Sequence, residues 1–182
     1  MKHETDAQET KPEDIMLVRK VISGDDIGAI CDIYCHSWRA AYRGSVPQDY
    51  LDALDGSRWR PALENSGFES YVVMDGEAYA GTSIICPSRD EKMQGWGEIV
   101  AMYLLPEYFG KGYGQLLLEC VVNALKEKGF EDIYLWVLDE NKRARRFYEK
   151  NGFEKTGDIE IAEVGGKDLR NYRYIRHMDK TE

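Results

Sequence analysis

The sequence predicts an α/β domain built on a mixed, mostly antiparallel sheet, with one central parallel strand pair and helices on both faces. Three observations carry this. WGEIVAMYLL (96–105) and DIYLWVL (132–138) are strongly apolar runs, as strands buried on both faces should be. The amphipathic stretch between them predicts a helix over 115–128, so the two strands form a parallel pair with a right-handed crossover. Hairpin patterns flank that unit on either side, which makes the remaining pairings antiparallel.

In chain order, MLVRKVI (16–22) alternates as a strand. Ser23 offers a helix N-cap, and Asp25 and Asp26 suit the positive helix end. Ile27, Ile30, Cys31, Tyr34, Trp38, Ala41 and Tyr42 recur at three-and-four spacing, an amphipathic helix stopped by Gly44. Short helices are expected at 48–54 and about 58–63, the second interrupted by Pro61. Strands at 70–74 and 77–86 form a hairpin around Asp75-Gly76, and a polar loop, PSRDEKMQG, follows. After the central strand, glycine loop and helix comes the strand at 132–138. A short helix at 142–150 ends at Asn151-Gly152, and two last strands meet around Gly165-Gly166.

A chain of 182 residues with 43% hydrophobic content suits one domain with its own core. No apolar run approaches the ~20 residues of a membrane span. MKHETDAQETKPED has no apolar signal core, so residues 1–14 are expected to be a flexible acidic tail and 15–180 the folded domain, in the cytoplasm. A net charge of −9 disfavours nucleic acid as a partner and permits a cationic substrate. Cys31, Cys35, Cys86 and Cys120 have no finger-like companions, and His3, His36 and His177 complete no Cys/His pair by spacing. Buried thiols and no metal are the expectation.

PEYFGKGYGQLLLE (106–119) places Gly110, Gly112 and Gly114 just before a helix, where glycine costs backbone entropy. A helix start has unpaired N–H groups and a positive dipole end, and bare backbone lets an anion approach them. Lys111 adds a cation or points to solvent. The loop is no Walker motif, because Gly112 follows Gly110-Lys111 where a hydroxyl residue is required. It is no dinucleotide fingerprint either, because the spacing is G-x-G-x-G and residues 106–109 separate it from the strand. A ligand-free glycine turn is the alternative.

Strand, loop and helix together resemble the GNAT superfamily of N-acetyltransferases. Phe109-x-x-Gly112-x-Gly114 matches its Gln/Arg-x-x-Gly-x-Gly/Ala hallmark, with Phe109 at the position usually Gln or Arg. LDENKRARRFYEKNGF (138–153) is similar to the family's second cofactor segment through Asn141, Ala144, Phe147, Tyr148, Glu149, Lys150, Gly152 and Phe153. SWRAAYRGSVPQDYLDAL (37–54) resembles the substrate-side helices of a bacterial branch. The resemblance spans roughly residues 15–180. It implies central strands splayed around acetyl-CoA, which acts as acetyl donor without a metal. It places the diphosphate at Gly110, Lys111, Gly112, Tyr113, Gly114 and Gln115, and the pantetheine arm along Met102, Tyr103 and Leu104. Asn141 reaches the cofactor through its amide or caps the next helix.

Acetyl transfer to an amine needs a neutral amine, a polarised thioester carbonyl and a protonated leaving thiolate. An aliphatic ammonium has a pKa near ~10.4, so a base or a desolvating pocket is required. The resemblance makes Tyr148 the general acid, with packing against Phe147 as its alternative. It makes Glu98, a carboxylate in an apolar strand, the base, with a strand-entry glutamate in solvent or paired with an arginine as the alternative. A main-chain N–H at Leu104 or a neighbour would polarise the carbonyl. Trp38, Tyr42 and Tyr50 supply an aromatic acceptor wall, able to hold a cationic amine or simply to be core. The expected activity is direct acetyl transfer to a primary amine, of a small molecule or a protein, in a ternary complex by a monomer or homodimer. An acyl-CoA-binding module without catalysis, or transfer of a longer acyl group, are the rivals.

Overall fold

The computed structural model describes residues 16–178. The tail read at 1–14, and His3 within it, lie outside the described residues. Seven strands form one sheet: β1 (Met16–Lys20), β2 (Glu69–Asp75), β3 (Ala78–Pro87), β4 (Gly97–Leu104), β5 (Asp132–Leu138), β6 (Glu154–Val164) and β7 (Lys167–His177). Their order is β1-β2-β3-β4-β5-β7-β6. Only β4 and β5 pair in parallel among the described strands; the other neighbours are antiparallel. The helices are α1 (Ile27–Ala41), α2 (Gln48–Asp52), α3 (Arg60–Leu63), α4 (Tyr113–Glu127) and α5 (Lys142–Lys150).

The period-two alternation of β2 assigns its side chains to two cores. Tyr71 and Val73 join the cluster under α4, with Leu117, Val121 and Leu125. Val72 and Met74 pack with Ile30 and Tyr34 of α1 on the other face. Leu117 and Leu125 are fully buried, and each contributes roughly 1.5–3 kcal/mol by leaving water. A third cluster ties α1 and α2 to the far half of the sheet through Cys35, Leu51, Leu138 and Leu169. The four cysteines are free thiols; Cys35 donates to the Leu54 carbonyl at 3.2 Å.

Several local expectations change. β1 ends at Lys20, and the cap of α1 is Asp26, which accepts from the Ala29 N–H at 3.0 Å, rather than Ser23. Asp25 is the reason: it binds Arg19, the Ile22 N–H and the Tyr79 hydroxyl, folding 21–25 into a turn. Pro61 sits in the first turn of α3, where its missing N–H costs nothing, so it opens that helix rather than interrupting it. A 3-10 turn at Gly56–Trp59 precedes it, and α2 stops at Asp52. Asp75 pairs with Ala78, so the hairpin turn is Gly76-Glu77, with Gly76 at φ 58°. A 3-10 turn at Glu91–Met93 lies within the polar loop, and α4 starts at Tyr113, two residues early.

The decisive departure is in β4. Its first residues are buried, but Val100 to Leu104 are only half-buried. β4 and β5 register only at Gly97↔Ile133 and Glu98↔Tyr134, and then diverge. A bulge at the same place, between the Ile84↔Ala101 and Ile85↔Ile99 pairs, bends β4 further. The parallel pair is therefore a V, closed at Glu98 and open toward Leu104.

Candidate functional site

The open V is floored by two cavities that share Met102, Ala144 and Tyr148. The first, of about 310 Å³, lies between the glycine loop and α5, and includes Leu104, Gly110, Gly112, Gly114 and Gln115. The second, of about 100 Å³, lies on the opposite side of the V. Tyr42, Tyr103, Val137 and Asn141 line it. Leu104 lines the first cavity alone and Tyr103 the second alone, as alternation along β4 requires, while Met102 borders both.

The main chain of β4 is presented to the gap. The Leu105 N–H is bound to the Ala80 carbonyl, and the Tyr103 carbonyl presses on Gly81 of β3. By strand alternation the N–H groups of Met102 and Leu104 then point away from β3, toward the side β5 has left. Ser37 of α1 donates to the Leu104 carbonyl at 2.9 Å and fixes this stretch.

Gly112 forms the cap of α4 at φ 95°, in the left-handed region that favours glycine. No side chain caps this helix start. A Cβ at Gly110 or Gly112 would stand in open space, so these glycines answer to backbone conformation and to access from the cavity, not to packing. Gly114 differs: its Cβ would touch Leu104 and Phe147 at ordinary contact distance. Lys111 lies over the Tyr108 ring, 5.9 Å from its centroid, and Tyr113 packs edge-on to the same ring. Neither lines the cavity.

Tyr148 stands where the two cavities meet. Its ring packs between Phe147 and Phe153, at centroid distances of 5.3 and 5.5 Å, and it is 8% exposed. Among the described residues its hydroxyl has no hydrogen-bond partner. Burial first, and the nearby Tyr103 second, push its pKa far up, so the phenol keeps its proton at neutral pH.

Glu98 does not join this group. It sits at the closed end of the V, 2% exposed, and lines neither cavity. Arg89 binds both its oxygens, Nη2 to Oε1 at 2.5 Å and Nε to Oε2 at 3.0 Å, and the Arg89 N–H adds a third bond at 3.1 Å. The Tyr134 hydroxyl donates at 2.9 Å. Burial pushes the carboxyl up, but the Arg89 hydrogen bonds and charge and the Tyr134 bond outweigh it, and the net shift is downward. These four bonds hold Glu98 as an ionised, arginine-paired carboxylate at the strand entry, away from both cavities, which favours the arginine-paired alternative over a base. Burial first, and then the hydrogen bond and charge of Glu98, push the Tyr134 phenol up to about 12. Among the described residues no carboxylate lines either cavity.

Asn141 lines the second cavity, but its Oδ1 caps α5 by accepting from the Ala144 N–H at 3.1 Å. Of the aromatic wall, Tyr42 reaches the second cavity, and Trp38 stacks on Tyr42 and donates to the Tyr103 hydroxyl at 3.1 Å. Tyr50 lies outside it, bonded to Arg58. Arg58 also covers Trp38 and Trp59, at 5.5 and 5.2 Å. Of the three wall aromatics, Trp38 thus already carries the protein's own guanidinium on its ring. Sequence reasoning missed Arg143 and Lys150 as cations of the first cavity, although Arg143 lies inside the Asn141 segment.

Comparison with known proteins agrees with this geometry. The model of the acetyltransferase (GNAT) family matches residues 28–153. The uncharacterized N-acetyltransferase YuaI of Bacillus subtilis is 29% identical over 149 residues, 80% of this chain and 86% of that protein. A spermidine N(1)-acetyltransferase of Thermoplasma acidophilum is 27% identical over 141 residues, 75% of this chain and 87% of that one. Among solved structures, PaiA N-acetyltransferase of Thermoplasma acidophilum, in complex with coenzyme A, superposes with a TM-score of 0.69 at 21% identity, covering 90% of this chain and 99% of the other. YncA of Salmonella typhimurium, with acetyl-CoA, gives 0.69 at 19% identity, covering 91% and 95%. With a family model spanning more than half its length and a splayed β4–β5 pair above a glycine-capped helix, this chain belongs to the acetyltransferase (GNAT) family.

Proposed function

We propose that the protein transfers an acetyl group from acetyl-CoA directly to a primary amine, of a small molecule or a protein, within a ternary complex. The observation that carries this reading is the meeting of two cavities, from opposite sides of the V, at Tyr148 and Met102. The residues suit the donor: an uncapped helix start, glycines with open space at Cβ, and the cations Arg143 and Lys150. Its complexes with structural neighbours, and the resemblance to a spermidine acetyltransferase, support a coenzyme A thioester and an amine. When bound, acetyl-CoA supplies an acyl group activated as a thioester.

The chain's own residues do the rest. Main-chain N–H groups at Gly112, Gly114 and Gln115 face the anionic end, where the helix dipole favours negative charge. Met102 and Leu104 offer N–H groups along the gap, and Leu104 is positioned to polarise a carbonyl oxygen. Tyr148 holds a proton at its hydroxyl for a leaving thiolate. With Glu98 paired away from the cavities, the ammonium gives its proton to bulk water as it enters the smaller cavity, because desolvation there disfavours the charged form. The small volume of that cavity favours a short acyl chain.

Initial velocities with acetyl-CoA and an amine both varied, followed by thiol release, test the proposal. Intersecting lines support direct transfer, and parallel lines refute it. Coenzyme A binding without thiol release across a broad amine panel would leave a binding module instead.

A further inference from the structure

Phe109 occupies the loop position where the motif usually carries a polar or cationic side chain. The structure places a cation there by another route. The Arg143 guanidinium, from the first turn of α5, lies over the Phe109 ring, its Cζ 3.3 Å from the ring centroid, a separation that face-on contact allows. Both residues line the larger cavity beside Gly110 and Gly112. Contact with the ring takes Arg143 partly out of water, and this desolvation pulls its pKa down. Among the described residues no carboxylate pairs with it, whereas Arg145, two positions on, bonds Asp139 and the Tyr174 hydroxyl. In a chain of net charge −9, an exposed arginine that lines a cavity, lies over an aromatic ring and pairs with no carboxylate among the described residues is free to take an anion from outside.

We infer that Arg143, held over the Phe109 ring, binds the diphosphate of the coenzyme A donor and replaces the side chain missing from the loop. Face-on stacking leaves the guanidinium edge free for paired N–H bonds to phosphate oxygens. Arg143 is the contacting residue, and Phe109 is a positioning residue acting through it. The inference rests on the reading that this cavity takes acetyl-CoA.

Calorimetry on the full chain with CoA and with 3′-dephospho-CoA tests it. Arg143→Ala should weaken both ligands alike, by about ten- to a hundredfold, the worth of a charge-assisted hydrogen bond. Arg143→Lys should recover part of the loss, because a point charge remains without the fork. Phe109→Ala should reproduce part of the loss, and Phe109→Tyr, which keeps the stacking face, should restore wild-type affinity. Arg143 is exposed on a short helix, so its variants should keep the wild-type melting temperature. Unchanged affinity of Arg143→Ala for CoA would overturn the inference. A loss seen with CoA but not with 3′-dephospho-CoA would overturn the diphosphate assignment in favour of the 3′-phosphate. Failure of the wild-type chain to bind CoA at all would instead overturn the proposed function.

Discussion

Tyr148→Phe removes one oxygen from the junction of the two cavities and nothing else. The ring keeps its contacts with Phe147 and Phe153, and no hydrogen bond among the described residues is lost. Stability should therefore change by less than about 0.5 kcal/mol. The hydroxyl lies outside the phosphate end of the larger cavity, so coenzyme A affinity should stay within about twofold. Turnover is different. Protonation of a leaving group by a positioned acid is worth roughly a hundred- to ten-thousandfold, or about 2.7–5.5 kcal/mol of barrier. Because burial holds the wild-type phenol protonated well above neutrality, the defect should be equally large from pH 6 to pH 9. The assay is thiol release under single-turnover conditions, with calorimetry for affinity and a thermal melt for folding. A single-turnover rate within threefold of wild type, with affinity intact, would refute the acid role.

Three further outcomes follow from the same geometry. Gly112→Ala forces a side chain into a left-handed backbone at φ 95°, costing about 1–2 kcal/mol, and puts a methyl group where the cavity opens. CoA affinity should fall at least about tenfold in calorimetry, and an unchanged Kd would count against the helix-start site. Glu98→Gln breaks the Arg89 pairing at the closed end of the V. Arg89 is half in solvent, so the loss should be about 1–2 kcal/mol at pH 7, with the activity–pH profile unmoved. Because the folded carboxyl titrates below its ordinary value, its stabilisation is full at neutral pH and is lost as the pH falls through the folded pKa. The gap between the melting temperatures of wild type and variant should therefore narrow as the pH falls below the ordinary carboxylate range, and a gap that widens there would contradict the sign. Gly81→Ala sets a Cβ 2.7 Å from the Tyr103 carbonyl and 2.9 Å from Leu104, so it should destabilise by about 1–3 kcal/mol and disturb β4; a wild-type melt would show that β3 can yield.

What the sequence made legible was what local patterning controls. β5 and α5 begin and end where the apolar run and the Asn141 cap put them, because both signals are contiguous. The glycine loop stood out in the sequence because Gly110 and Gly112 carry an entropic cost, and the structure shows no packing that explains it. What was not legible depends on partners far along the chain. Ser23 lost the cap because Asp25 is taken by Arg19 and by Tyr79, which lies 54 residues away. For Glu98 the sequence left base and arginine-paired carboxylate open, because the convergence of Arg89 and Tyr134 on it is made by a loop and a neighbouring strand. The half-burial of β4 reflects a divergence from β5 that no period in either strand encodes. Arg143 meets Phe109 only because α5 packs back over the glycine loop, so the substitution in the motif and its apparent compensation stand 34 positions apart in sequence.

The central claim is that the start of α4 and the open half of β4 hold the acetyl donor. A crystal structure of the chain grown with acetyl-CoA tests it most directly. The account predicts the diphosphate against the main-chain N–H groups of Gly112 and Gly114, and the thioester in the β4–β5 gap within hydrogen-bonding reach of the Tyr148 hydroxyl. Density for the phosphates elsewhere, with the glycine loop left to solvent, would contradict it.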